Sequence, residues 1–246
     1  MTGNPTLNAN TFTGIQATPG ERTMTVQGTV HKTALLLLLT ILSASYAWGM
    51  YYKGESEMMP MLLGVGAIGG FIVAMITVFK KTWSPVTAPL YALFEGLVVG
   101  GLSAMFAGSY QGIVIQAVML TFGVLAALLA AYTFGLVKAS QNFVRGVVAA
   151  TGGIMLLYLA TFVLGFFGIQ MPAIYGNGPI GIGFSVVVVI IAALNLVIDF
   201  DFIETGAKAG APKYLEWYAA FSLLVTLIWL YLEILRLLAK LSSRRK

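Results

Sequence analysis

Residues 178–200 read GPIGIGFSVVVVIIAALNLVIDF, and Asp199 is the only ionisable side chain among them. At about 1.5 Å per residue, a helix of this length covers a hydrocarbon core of ~30 Å. A chain crossing lipid must satisfy its own backbone groups, which leaves helices and closed barrels. Barrel strands alternate apolar and polar residues over ~10 positions, and this run does not alternate. The stretch is therefore a membrane-crossing helix. Six more runs of the same kind surround it, at roughly 34–52, 61–79, 88–107, 112–137, 146–168 and 214–238. The fold class is all-α integral membrane protein with seven spans.

Composition agrees with that reading. Of 246 residues 59% are hydrophobic and 9% charged, and the mean hydropathy is +0.89. Soluble domains carry about 25% charged residues, so too few charges remain to cover a water-facing surface. The 14 Lys+Arg against 9 Asp+Glu leave a net charge of +5. The basic residues sit at the ends of apolar runs, where they set topology, and form no continuous nucleic-acid patch outside the last few residues. There is no Cys and only one His, His31, which removes thiolate chemistry and any His-rich metal centre. No H-E-x-x-H, Walker A or G-x-S-x-G pattern is present, and Gly64-x-Gly66 and Gly181-x-Gly183 lie inside apolar runs without a strand-turn-helix context. The chain is not expected to be an enzyme, and no cofactor is expected.

The organisation follows: a polar N-terminal tail over 1–33, a transmembrane domain over 34–240 and a basic tail over 241–246. The first tail lacks the basic-then-apolar pattern of a cleaved signal peptide and is expected to be mobile. With the N-terminus cytoplasmic, Arg22, Lys32, Lys80, Lys81, Lys138, Arg145, Lys208 and Lys213 lie inside and only Lys53 lies outside before the last run. Eight against one decides the orientation of the first six spans. Arg236, Lys240, Arg244, Arg245 and Lys246 then fall outside if the seventh run crosses fully, and inside if it re-enters. No Gly or Pro follows Pro212 to make such a bend, which favours crossing. Trp217, Tyr218, Trp229 and Tyr231 read as an interfacial belt or as packing.

Acids inside spans are costly and mark function. Glu95 lies inside the third run with no Lys or Arg near it on its own helix. Asp199 and Asp201 close the sixth run, followed by Glu204; about 200° of helix separates the two aspartates, so one faces inward and the other outward. Asn195 shares a face with Asp199. Asp199, Glu95, Asp201 and Glu216 are candidates for ion passage or pH sensing, with N-terminal capping the competing role of Glu216. Glu204 with Lys208, and Glu233 with Arg236, are spaced for intrahelical pairs. Carboxylates facing one another across helices share a proton or hold a divalent cation, and hard oxygen ligands suit Ca²⁺. Gly66-x-x-x-Gly70 and Gly96-x-x-x-Gly100 have the spacing of close helix packing.

The chain resembles the transmembrane Bax inhibitor motif family, its bacterial members in particular. The resemblance rests on Phe94-Glu95-Gly96, on Ile198-Asp199-Phe200-Asp201-Phe202-Ile203 and on the LYLEILRLL ending of the last run, residues 230–238. It implies six helices around a central seventh, an inner-membrane location, and a proton-gated cation leak, chiefly of Ca²⁺, through two aspartates on the last two helices. Asp199 matches the first of these and would be the metal-contacting acid. The second falls at about Thr226, which is not acidic. Either Glu95 or Glu216 supplies the second carboxylate, or this branch does not conduct Ca²⁺. The alternative function is a non-conducting protein that modulates a partner such as a membrane protease through its tails. The expected partners are the bilayer, Ca²⁺ or H⁺, and in the alternative a membrane protein.

Overall fold

The structure is a computed structural model that describes residues 21–54, 56–168, 174 and 176–244. Residues 1–20 of the polar tail, Glu55, and Arg245 and Lys246 of the basic tail lie outside the described residues. Seven helices follow in order: α1 (Val26–Tyr52), α2 (Met59–Phe79), α3 (Ser84–Ser109), α4 (Ile113–Thr133), α5 (Gln141–Phe166), α6 (Pro179–Lys208) and α7 (Leu215–Ser243). All seven are long and apolar enough to cross a membrane. The described residues contain no strand, only an isolated antiparallel bridge between Thr23 and Pro212.

Side-chain caps start α1 and α5, and both helices begin before their apolar runs. α1 starts at Val26, eight residues before its run at 34. Thr25 caps it by accepting from Gly28 N at 2.9 Å, and Thr29 and Thr33 each bond back to the carbonyl four residues earlier. Residues 26–33, read as tail, are thus the first two turns of a span. Ser140 caps α5 in the same way through Phe143 N. α6 continues through Asp201 and Glu204 to Lys208. It stops where Gly210 takes φ +66°, with Ala211 N bonded to Gly206 O and Gly210 N to Ala207 O. That is a Schellman closure, available to glycine because it lacks a Cβ. α7 runs unbroken for 29 residues, about 43 Å at 1.5 Å per residue, with no re-entrant bend.

The chain forms two compact units. One unit contains α4, α5, α6 up to Asp201 and α7 from Trp229 onward. The other contains α1, α2, α3, the end of α6 from Phe202 and α7 up to Ile228. In its most apolar stretch α7 is 67% buried, against 17–39% for the other six helices. A helix apolar all round is a core element. Leu215, Tyr218, Phe221 and Leu224 fill one unit, and Leu230 and Leu235 the other. Tyr218 and Tyr231 are buried, so these two pack inside and form no belt.

In the second unit α3 lies against both α1 and α2. A Cβ at Gly96 would stand 2.5 Å from Thr40 O, and one at Gly100 would stand 2.5 Å from Ala44 Cα. On the opposite side, a Cβ at Gly66 would meet Phe94 O at 2.8 Å, while Gly70 faces the Glu95 carboxylate at 3.4 Å. The two glycine pairs therefore serve two different interfaces of α3, on α1 and on α2.

Candidate functional site: carboxylates inside the spans

Asp199 sits on α6 in the first unit and is 0% exposed. Asn195, one turn earlier on the same face, is also buried and donates to Thr151 Oγ1 of α5 at 2.9 Å and to the Ile191 carbonyl at 2.8 Å. Asp201 is half-buried and accepts from the Tyr132 hydroxyl of α4 at 3.4 Å. The two aspartates thus differ as helical geometry requires, one enclosed and one turned toward a neighbouring helix edge.

Further along the same unit, Glu233 of α7 is 2% exposed yet fully engaged. Arg236 Nη1 donates to both of its oxygens at 2.8 and 2.9 Å, and the Tyr158 hydroxyl of α5 donates to Oε1 at 3.0 Å. Arg236 also donates to the Tyr158 oxygen at 2.8 Å and lies 5.3 Å from that ring. Lys240, spaced to join the same ion pair, is instead buried among neutral acceptors. Its ammonium donates to Ile174 O at 2.5 Å, Gly181 O at 3.0 Å and Ser185 Oγ at 2.9 Å. Three oxygens match the three hydrogens of the amine.

In the second unit Glu95 is half-buried on α3, beside Tyr91 of its own helix and Gly70 of α2. Among the described residues it forms no ion pair. Glu216 is the opposite case. It lies 0% exposed in the first turn of α7, accepts from Thr25 N and Thr25 Oγ1 at 2.9 Å each, and pairs with Lys32 Nζ, with Lys213 Nζ at 3.7 Å. Lys32 in turn lies 5.4 Å from the Trp217 ring centroid. Backbone bonds from Met24 N to Ala211 O and from Lys213 N to Arg22 O continue the joint. Glu216 therefore ties the start of α1 to the start of α7. Thr226, where the resemblance would place an aspartate, is buried and bonds to Ser222 O at 3.4 Å.

Sequence reading missed Thr151, Tyr158, Tyr91 and the three acceptors of Lys240. None belongs to a recognisable motif, and most meet their partners only through the fold. Among the described residues no three His, Cys, Asp or Glu side chains converge on a point that would hold a metal.

Seven apolar helices, with buried carboxylates on two of them, define a multi-pass all-α membrane protein. The family described as Bax inhibitor 1 like matches residues 4–243, nearly the whole chain. The chain belongs to this family. Searches of curated proteins and of solved structures find no significant match.

Proposed function

We propose that this protein is a pH-sensitive cation leak channel, passing Ca²⁺ across a bacterial inner membrane in which its N-terminus is cytoplasmic. The observation that carries the reading is Asp199, a carboxylate with no solvent exposure inside a 30-residue apolar helix. A buried charge in a span costs several kcal/mol unless a proton, a cation or polar partners offset it, and chains keep such groups where ions pass. Glu95, half-buried and without an ion pair among the described residues, is the second ion-contacting acid of this reading. Glu216 is held by Thr25 and Lys32 and serves as a joint. Asp201 is half-buried and accepts from Tyr132.

Proteoliposomes loaded with a Ca²⁺ indicator test the proposal. Asp199→Asn and Glu95→Gln are expected to cut Ca²⁺ flux severely and to flatten its dependence on pH between 5 and 8. Equal flux in the unsubstituted protein and in both variants would sink it.

A further inference from the structure

The side chain of Asn195 is oriented by what it donates to. Its nitrogen gives one hydrogen to Thr151 Oγ1 and the other to the Ile191 carbonyl. A backbone carbonyl only accepts, so the nitrogen cannot exchange places with the oxygen without setting two oxygens against each other. Oδ1 is thereby turned away from both partners, and it accepts no hydrogen bond among the described residues. Asn195 is 2% exposed, so bulk water does not serve that oxygen either. A desolvated acceptor left in this state is unfavourable, and something carrying a hydrogen or a positive charge completes it.

Four residues on, a helical rise of about 6 Å places Asp199 on the same face. Oxygens on opposite sides of a Ca²⁺ ion are roughly 5 Å apart, within the reach of side chains so spaced. We propose that Asn195 Oδ1 and the Asp199 carboxylate are two oxygen ligands of one hard cation, which carries in with it the water that completes its shell. This rests on the reading of Asp199 as an ion-contacting acid and adds the residue that sets how tightly the ion is held. An amide oxygen ligates without adding charge, so the site carries one negative charge. It holds a divalent cation loosely enough to release it. Thr151 is a positioning residue, since it fixes the amide that presents Oδ1.

The test is direct Ca²⁺ binding to the full-length protein in nanodiscs, measured by equilibrium dialysis with radioactive Ca²⁺ alongside thermal unfolding in Ca²⁺, Mg²⁺ or Na⁺ at constant ionic strength. Ca²⁺ is expected to bind and to raise the unfolding temperature. Asn195→Leu is expected to weaken binding about tenfold or more, and Asn195→Asp, which keeps an oxygen in place and adds a charge, to tighten it about tenfold. Asn195→Asp also covers the case in which the leucine variant does not fold. Affinity unchanged in Asn195→Asp overturns the inference. So does the absence of any cation effect on the unsubstituted protein, which would assign the oxygen to a buried water. Binding that responds to Asn195 in a protein that passes no Ca²⁺ would defeat the channel reading alone. Flux through a protein whose Ca²⁺ affinity ignores Asn195 would defeat this inference alone.

Discussion

Two glutamates on one helix show how differently a buried charge can be used. Glu216 collects a backbone N–H, a hydroxyl and an ammonium, while Glu233 collects a guanidinium and a phenol. Removing one partner of such a pair leaves the other charged and enclosed, at a cost of about 3–5 kcal/mol. Glu216→Ala is expected to lose that much in thermal unfolding, and Lys32→Met most of it. The double variant should lose far less than the two costs added together, because the same contact is removed only once. Tyr158→Phe, which keeps the ring against Arg236 and deletes one hydroxyl, is expected to cost about 1 kcal/mol in the same measurement. At this scale sequence reading reached the acids but not their partners. Glu233 and Arg236 stand three residues apart and were readable as a pair. Lys32 and Glu216 stand 184 residues apart, and nothing local links them.

The helices themselves were readable because hydrophobicity reports what lipid must cover. Their ends were less so, because capping groups are polar and lie beyond the apolar run, as Thr25 does for α1. Packing between helices can be tested one glycine at a time. Gly100 has the backbone of Ala44 in the space a Cβ would need, whereas Gly49 on α1 has nothing within 4 Å of that position. Gly100→Ala is expected to destabilise the protein by at least about 1–3 kcal/mol through overpacking. Gly49→Ala should stabilise it by roughly 0.5–1 kcal/mol, because alanine is the better helix former. Unfolding of both variants in the same detergent reads the contrast directly. A loss at Gly49 equal to that at Gly100 would mean that the α1–α3 contact does not depend on glycine.

Across the whole molecule, the lysine pattern and the seven unbroken helices make a topological prediction. Because the chain has no Cys, an introduced cysteine is the only thiol in it. With the N-terminus cytoplasmic, Lys53→Cys and Ser243→Cys should react with a membrane-impermeant maleimide in intact cells, and Lys138→Cys only after permeabilisation. Reversal of that pattern would invert the assignment, and labelling of Lys53→Cys without Ser243→Cys would mean that α7 does not cross.

The division into two units has a consequence for biosynthesis. α1, α2 and α3 are translated first, but the rest of their unit, Phe202–Ile228, follows only after the stretch Gly112–Asp201. At ~5–20 residues per second those ninety residues take about 5–18 s. Throughout that interval the first three spans are in the bilayer with Lys32 awaiting Glu216 and Tyr91 awaiting Phe221. A nascent chain halted in that window is membrane-inserted but structurally incomplete, and presents its unpaired lysine and the apolar face meant for α7 to whatever surveys the membrane for unfinished proteins.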